Sequence, residues 1–134
     1  IHNLAYMINH VTKGIKISVN TIFDGSYFKN YTLNYSFSYT ITITNHSKNT
    51  VQLKSRHWRI FDSLNNDIII DGEGVIGEKP TIGPGDSFLY SSGCLITSPV
   101  GAMRGFYNMI NINNGKKFRA YIPTFKLNAP LALN

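Results

Sequence analysis

The residues best placed to do chemistry are the three glycines of a GxGxxG pattern. Gly72, Gly74 and Gly77 have the spacing of dinucleotide-binding loops, where glycines let the backbone approach a pyrophosphate at a helix N-terminus. Such a site needs a strand before the pattern and a helix after it. Segment 80–85 holds two prolines and two glycines, which exclude a helix, and no βαβ unit surrounds the pattern. A Rossmann site is therefore rejected.

A smaller anion site stays open at the same loop. Consecutive N–H groups of a glycine-rich turn can form an anion-binding nest without a helix. Arg56 and Lys79 could supply positive charge, whereas Asp71, Glu73 and Glu78 bring negative charge to the loop. The alternative is structural, with the glycines serving positive-φ turns on a long crossover loop.

Two other segments are candidates for a binding surface. In the segment 56–59, the single tryptophan, Trp58, is expected to pack in the core, with Arg56 beside it at the sheet edge or stacked on a partner. In the segment 99–107, Met103 and Tyr107 belong to an interface if Met103 or Phe106 is exposed, and to an ordinary strand if both are buried.

Groups for catalysis or metal binding are missing from the pattern. The four histidines lack metal-ligand spacing, there is no GxSxG elbow, and the acidic residues are not paired for acid–base work. The one cysteine, Cys94, is expected to be a small core or rim residue. We therefore expect no enzyme, no cofactor and no bound metal.

Alternation of apolar and polar residues predicts strands rather than helices. Between Thr32 and Asn45 every second residue is large and apolar, and Thr, Ser and Asn fill the gaps, which indicates a long strand of an antiparallel sheet. Asn113-Asn114-Gly115 between two apolar runs predicts a hairpin with a type I′ turn. Further predicted strands are 15–19, 51–61, 67–70, 88–90, 94–97, 103–112 and 117–125. The predicted breaks include Asp24-Gly25-Ser26, Ser91-Ser92-Gly93 and the irregular stretch Asp71–Gly85.

The predicted fold is an all-β antiparallel sandwich of about seven or eight strands in one domain spanning residues 1–134. Residues 1–12 and 128–134 are expected to be mobile termini. The chain has 134 residues, with 43% hydrophobic and 15% charged, which suits a folded core. No apolar run is long enough for a membrane helix, and no signal peptide is recognisable, so a cytoplasmic protein is expected. The net charge of +6 is spread along the chain, so nucleic acid is not the expected partner.

The ordered string of residues in these segments resembles the ApaG domain family over nearly the whole chain. The matching positions are Tyr39–Ile43, Asn45, Val51–Leu53, Arg56, Trp58, Ile60, Gly72–Gly77, Pro80, Ile82, Pro84, Gly85, Phe88, Tyr90, Ser92, Gly93, Thr97, Pro99, Gly101, Met103, Gly105, Tyr107 and Ile122–Leu127. The resemblance implies an immunoglobulin-like or fibronectin type III-like sandwich. It also implies a link to diadenosine-polyphosphate metabolism or to cobalt and magnesium tolerance. In eukaryotic relatives the domain is joined to an F-box subunit and to a polymerase-interacting protein, which favours protein recognition.

The function expected from the sequence is a non-catalytic module that binds an unidentified protein partner. The alternatives are a small-anion site for pyrophosphate or a dinucleoside polyphosphate, and a role in cobalt or magnesium homeostasis. The candidate site residues are Arg56, Trp58, Gly72, Glu73, Gly74, Gly77, Lys79, Met103 and Tyr107.

Overall fold

The computed structural model describes residues 6–130, and these form two antiparallel sheets without a helix. The nine strands are β1 Tyr6–Thr12, β2 Ile15–Lys29, β3 Thr32–Asn45, β4 Val51–Asp62, β5 Ile68–Glu73, β6 Thr81–Ile82, β7 Ser87–Ile96, β8 Val100–Asn111 and β9 Lys117–Asn128. The first sheet has the order β1-β2-β3-β7. The second has the order β5-β4-β8-β9, with β6 also paired to β4. The predicted all-β sandwich is confirmed, with slightly more strands than expected.

The alternation predicted for β3 is what builds the first sheet's inner face. Ile41 and Ile43 are fully buried and lie directly opposite Val19 and Ile17 of β2. Cross-strand pairs of β-branched residues suit the pleated, buried surface of a sheet. The intervening hydroxyl residues face outward, where Thr40 and Ser91 exchange a 2.8 Å hydrogen bond.

Aromatic side chains join the two sheets across the core. Tyr39 of β3 packs edge-on against Trp58 of β4 at 5.7 Å between ring centroids. Phe125 of β9 meets both rings, at 5.6 Å from Tyr39 and 5.9 Å from Trp58. Edge-to-face packing at these distances is favourable beyond simple burial of apolar area.

Two predicted interruptions are wrong because the strands continue through them. The predicted break at Asp24-Gly25-Ser26 is a β-bulge between Phe23 and Gly25, after which β2 runs on to Lys29. Gly25 has a φ of 111°, which lets the strand continue with a shifted register. The predicted break at Ser91-Ser92-Gly93 is part of the continuous strand β7.

The hairpin between β8 and β9 is confirmed, but its turn is not of type I′. Gly115 has positive φ, whereas neither Asn113 nor Asn114 does. The Asn111 side chain accepts hydrogen bonds from the N–H groups of Asn113 and Asn114, and the Gly115 N–H donates to the Asn111 carbonyl. An Asx-stabilised longer loop therefore replaces the predicted two-residue turn.

Part of each terminus that was predicted to be mobile lies in a paired strand, and their mobility stays a prediction. Residues 6–12 form β1, which pairs in register with β2 from Thr21 to Ile15. At the other end, Asn128 still belongs to β9, and the Ala129 N–H donates to the Pro99 carbonyl at 2.8 Å. The rest of the two predicted mobile termini, residues 1–5 and 131–134, lies outside the described residues.

Asp62, at the end of β4, ties that strand to the turn between β7 and β8. Its carboxylate accepts hydrogen bonds from the Thr97 N–H at 2.7 Å, the Thr97 hydroxyl at 2.8 Å and the Leu64 N–H at 3.1 Å. Burial alone would raise the pKa of Asp62, but these donors outweigh it, so the pKa lies below the ordinary value of 3.8.

We expect Asp62→Asn to lower the free energy of unfolding at pH 7 by about 2 kcal/mol, because an amide has a single oxygen and cannot accept from both the Thr97 and the Leu64 N–H groups. A lowered folded-state pKa stabilises the fold above the unfolded-state pKa, and that contribution is lost as the pH falls through the folded value. The gap between wild type and variant should therefore stay constant from about pH 7 to pH 5 and shrink below about pH 4. Urea titrations of both proteins between pH 7 and pH 3 measure this gap, and Asp86→Asn is the control because Asp86 is exposed. A gap that widens in acid contradicts this assignment.

Candidate functional site

The GxGxxG residues form a tight turn that closes on itself. Val75 and Glu78 exchange backbone hydrogen bonds of 2.8 and 2.9 Å, and Ile76 and Gly77 between them have φ values of 48° and 73°. Two central residues with positive φ are the signature of a type I′ turn. The Gly74 N–H is also taken, since it donates to the Lys54 carbonyl at 2.9 Å. Three N–H groups that an anion nest would use thus already have backbone partners.

The loop begins earlier than the sequence pattern suggests. The predicted irregular stretch Asp71–Gly85 is wrong at its start, because Asp71, Gly72 and Glu73 belong to β5. Gly72 therefore lies inside a strand, directly opposite Arg56 of β4. Arg56 is in turn opposite Tyr107 of β8, so these three residues form one row across the inner face of the sheet.

The Arg56 side chain spans this row and holds the loop. Its Nη1 atom donates to the carbonyls of Glu73 and Gly74, at 3.1 and 2.8 Å. A Cβ at position 72 would lie 2.7 Å from the guanidinium carbon. The guanidinium can therefore lie against β5 only because this residue is glycine. The arginine is used as a clamp on backbone carbonyls.

Lys79 is also engaged within the loop. Its Nζ lies 3.0 Å from Oε1 of Glu73, and its carbonyl accepts a hydrogen bond from the side chain of Gln52. Both ion-pair partners are substantially exposed, so the pair adds little stability. The Glu73 carboxylate nevertheless neutralises the Lys79 charge, which a bound anion would need.

Beside the Arg56 clamp lies a group of buried tyrosine hydroxyls. The hydroxyls of Tyr90 in β7 and Tyr107 in β8 hydrogen-bond to each other across the sandwich. Burial raises the pKa of both groups, and of Tyr39 nearby, while the Arg56 charge partly opposes that rise. These phenols therefore stay neutral at physiological pH and serve as a polar link between the sheets.

The structure separates the predicted site residues into two sets. Those of the loop come together, namely Arg56, Gly72, Glu73, Gly74, Gly77 and Lys79. The other three, Trp58, Met103 and Tyr107, are at most 3% exposed and line the core. Met103 is therefore not exposed for an interface. Phe106, the other residue whose exposure would indicate an interface, is half-buried on the opposite face of β8.

Sequence reasoning missed the outer face of the second sheet. His57, Phe106 and Tyr121 lie side by side on β4, β8 and β9, with the His57 and Phe106 rings stacked at 4.8 Å. Arg119 lies over the Phe106 ring at 4.2 Å from its centroid. Alternation along each predicted strand separates these side chains from the buried ones, but only the pairing of β4, β8 and β9 brings them onto one face.

Sequence reasoning also missed the exposure of β5. Three consecutive isoleucines, Ile68, Ile69 and Ile70, are 49%, 51% and 39% exposed. In the described part of the chain, β5 pairs with β4 on one side and has no strand on its other side. The apolar run was predicted as a strand, but its position at an edge follows only from the topology.

Within residues 6–130, no three His, Cys, Asp or Glu side chains are grouped as metal ligands, and no helix could cross a membrane. Burial raises the pKa of the Cys94 thiol to about 11, which keeps it protonated and unreactive at neutral pH.

The sequence of the chain is similar to that of a known domain family. A family model for the ApaG domain matches residues 25–111. The chain belongs to the ApaG domain family. Protein ApaG of Methylobacterium sp. strain 4-46 is 42% identical over 119 residues, covering 89% of this chain and 91% of that protein. Protein ApaG of Brucella anthropi is 44% identical over 124 residues, covering 92% and 95%.

A solved structure of similar shape comes from a structural-genomics X-ray study. It aligns with a TM-score of 0.83 and 36% sequence identity, covering 90% of this chain and 92% of that one. These names and structures carry no statement of activity, substrate or partner. They support the family and the fold of this ApaG domain.

We expect two glycines of the ApaG loop to respond very differently to alanine. At Gly74, φ is 60° and a Cβ would overlap the Glu78 carbonyl oxygen, so Gly74→Ala should cost about 3 kcal/mol or more. At Gly77, φ is 73° but the space is open, so Gly77→Ala should cost only about 1 kcal/mol. Thermal or urea unfolding of both variants measures this. Equal losses would contradict the turn geometry.

Proposed function

We propose that this ApaG domain is a non-catalytic protein-interaction module that receives an extended segment of its partner along β5. The observation that carries the proposal is the exposed isoleucine run Ile68–Ile70 on an edge strand. An edge strand presents unpaired N–H and C=O groups, which can pair with a strand from another chain.

The first half of β5, Ile68–Ile70, lacks the usual protection against such pairing, whereas the second half carries Asp71 and Glu73. Natural edge strands are commonly blunted by lysine, proline or a β-bulge. The run Ile68–Ile70 contains none of these, and its pairing with Trp58, Arg59 and Ile60 of β4 shows no register shift. Three apolar side chains beside an open backbone row suit main-chain pairing for affinity and side-chain burial for selectivity.

The position of β5 is fixed by the Arg56 clamp. Because the guanidinium binds the carbonyls of Glu73 and Gly74, the end of the strand is attached to β4 by a side chain as well as by the ladder. A preordered edge loses less conformational entropy on binding than a flexible one, which favours a strand-addition role.

The small-anion alternative stays a prediction with less support from the geometry. Its two cations, Arg56 and Lys79, have intramolecular partners, and the Gly74 N–H is bonded to Lys54. The role in cobalt or magnesium homeostasis, the cytoplasmic location and the fibronectin type III-like relationship also stay predictions.

The proposal is tested by placing a charge on the edge. Ile69→Lys places a second cation opposite Arg59 and should therefore lower stability by about 1 kcal/mol or less, since the side chain is 51% exposed, but should reduce recovery of bound proteins at least about tenfold. The matched control is Ile112→Lys, because Ile112 is 49% exposed and lies beyond β8, away from the β5 edge. Affinity purification from a source cell with quantitative mass spectrometry compares the three proteins.

Proteins retained by wild type and by Ile112→Lys, and lost with Ile69→Lys, would support the module and its edge. An identical set with all three proteins would reject β5 as the site. No protein above background with any of them would reject the interaction module.

A further inference from the structure

Net positive charge is concentrated in the last third of the chain, because acidic residues are absent there. No Asp or Glu follows Asp86, whereas this part contains Arg104, Lys116, Lys117, Arg119 and Lys126. The topology places its two long strands, β8 and β9, side by side in the second sheet. Basic residues are spread along the sequence, but the fold gathers those without acidic neighbours onto β8, β9 and the loop between them.

The outer face of this sheet carries most of that charge. Alternation in β8 buries Met103, Tyr107 and Met109 and turns Arg104, Phe106 and Asn108 outward. We call the outward-facing set the basic-aromatic face. Its members are Lys54, His57, Arg59, Arg104, Phe106, Asn108, Lys117, Arg119 and Tyr121.

Three rings cross this face in a single row. His57 is directly opposite Phe106, and Phe106 is directly opposite Tyr121. The Phe106 and Tyr121 ring centroids are 5.9 Å apart, and Tyr121 is 45% exposed. Phe106 is contacted by the His57 ring and by Arg119, and the His57 Nδ1 lies 2.6 Å from the Asp71 carboxylate, so Tyr121 is the exposed end of the row. An exposed aromatic ring beside arginines is the kind of surface on which proteins stack unpaired bases.

Two arginines on the face are placed where their charges repel. Arg59 and Arg104 are directly opposite each other in the β4–β8 ladder, an arrangement that destabilises a sheet. Asp67 lies 2.6 Å from Arg59, and no carboxylate in the described residues lies within ion-pair distance of Arg104. A bound anion would relieve this repulsion.

Grooves lie on both sides of the ring row. One, of about 490 Å³, is lined by Lys54, Asn108, Lys117 and Arg119 among others. The other, of about 300 Å³, includes Arg59, Arg104 and Thr124 and borders all three rings. Residues two apart along a strand are about 7 Å apart, so cations flank the rings within reach of one short strand of nucleic acid.

We propose that the basic-aromatic face binds single-stranded nucleic acid, with the cations on the phosphates and a base against the exposed Tyr121 ring at the end of the row. Cations alone would accept any polyanion, including an acidic peptide. The continuous ring row between two cationic grooves favours a ligand with flat bases attached to a charged backbone. The aromatic residues of Thr32–Asn45 face inward and gave no reason to expect nucleic-acid binding. The rings that support it lie on the second sheet.

The test uses fluorescence anisotropy with a labelled twenty-nucleotide oligothymidine at low salt. Tyr121→Ala should weaken binding about tenfold through loss of base stacking. Its matched control is Tyr27→Ala, since Tyr27 is 44% exposed and lies on the first sheet. Arg104→Gln should also weaken binding several-fold and lower the salt dependence, whereas Lys29→Gln on the first sheet should have little effect.

Binding of oligothymidine that falls more than tenfold from 50 to 200 mM salt, with losses confined to the two face variants, supports the proposal. Equal affinity for polyglutamate, with no effect of Tyr121→Ala, would show a surface for acidic proteins and overturn it. No binding at 100 µM protein, or equal losses in both controls, would also overturn it. The β5 edge and its partners are unaffected by any of these outcomes.

Discussion

The hydrogen bonds from Arg56 to the carbonyls of Glu73 and Gly74 are the contact that holds the glycine loop and the end of the edge strand β5 to β4. The guanidinium can reach these carbonyls only because position 72 is glycine. On its other side, Arg56 is opposite Tyr107, whose hydroxyl meets Tyr90 of the facing sheet. One row of side chains thus runs from the β5 edge to the centre of the sandwich.

This arrangement gives the GxGxxG residues a structural explanation. Gly72 makes room for a side chain, Gly74 for a carbonyl, and Gly77 supplies positive φ in the turn. In a dinucleotide-binding loop such glycines let the backbone approach a pyrophosphate. Here the space beside Gly72 is occupied by the Arg56 guanidinium. The two surfaces that we propose for recognition lie elsewhere, on the exposed edge of β5 and on the outer face of the second sheet.

Much of the fold could be predicted from local pattern. The period of two in Thr32–Asn45 is strong enough to define β3 and its buried face, since a shift of one residue would expose every apolar side chain. Bulges and turn types were predicted less well, because Gly25 and Asn113 fit more than one backbone conformation. The sequence also could not show which strand is an edge, since that depends on the order of strands in the sheet.

Prediction of the site failed where it required knowledge of neighbours across the sheet. Arg56 and Lys79 were recognised as cations near the loop, but their carbonyl and carboxylate partners come from register and turn geometry. Trp58 was expected in the core and is there. The row His57, Phe106 and Tyr121 combines three strands separated by long stretches of chain, so only the ladder brings it together.

The most direct test of this account is an amide-resolved NMR titration of the wild-type domain with pyrophosphate and diadenosine tetraphosphate at physiological salt. If the loop is filled by Arg56 and by its own hydrogen bonds, the amides of Gly72 to Lys79 should show no saturable shifts at millimolar ligand. Any shifts should instead lie near Arg104 and Tyr121. Saturable shifts confined to Gly72 to Lys79 would contradict the account and make the glycine loop an anion site.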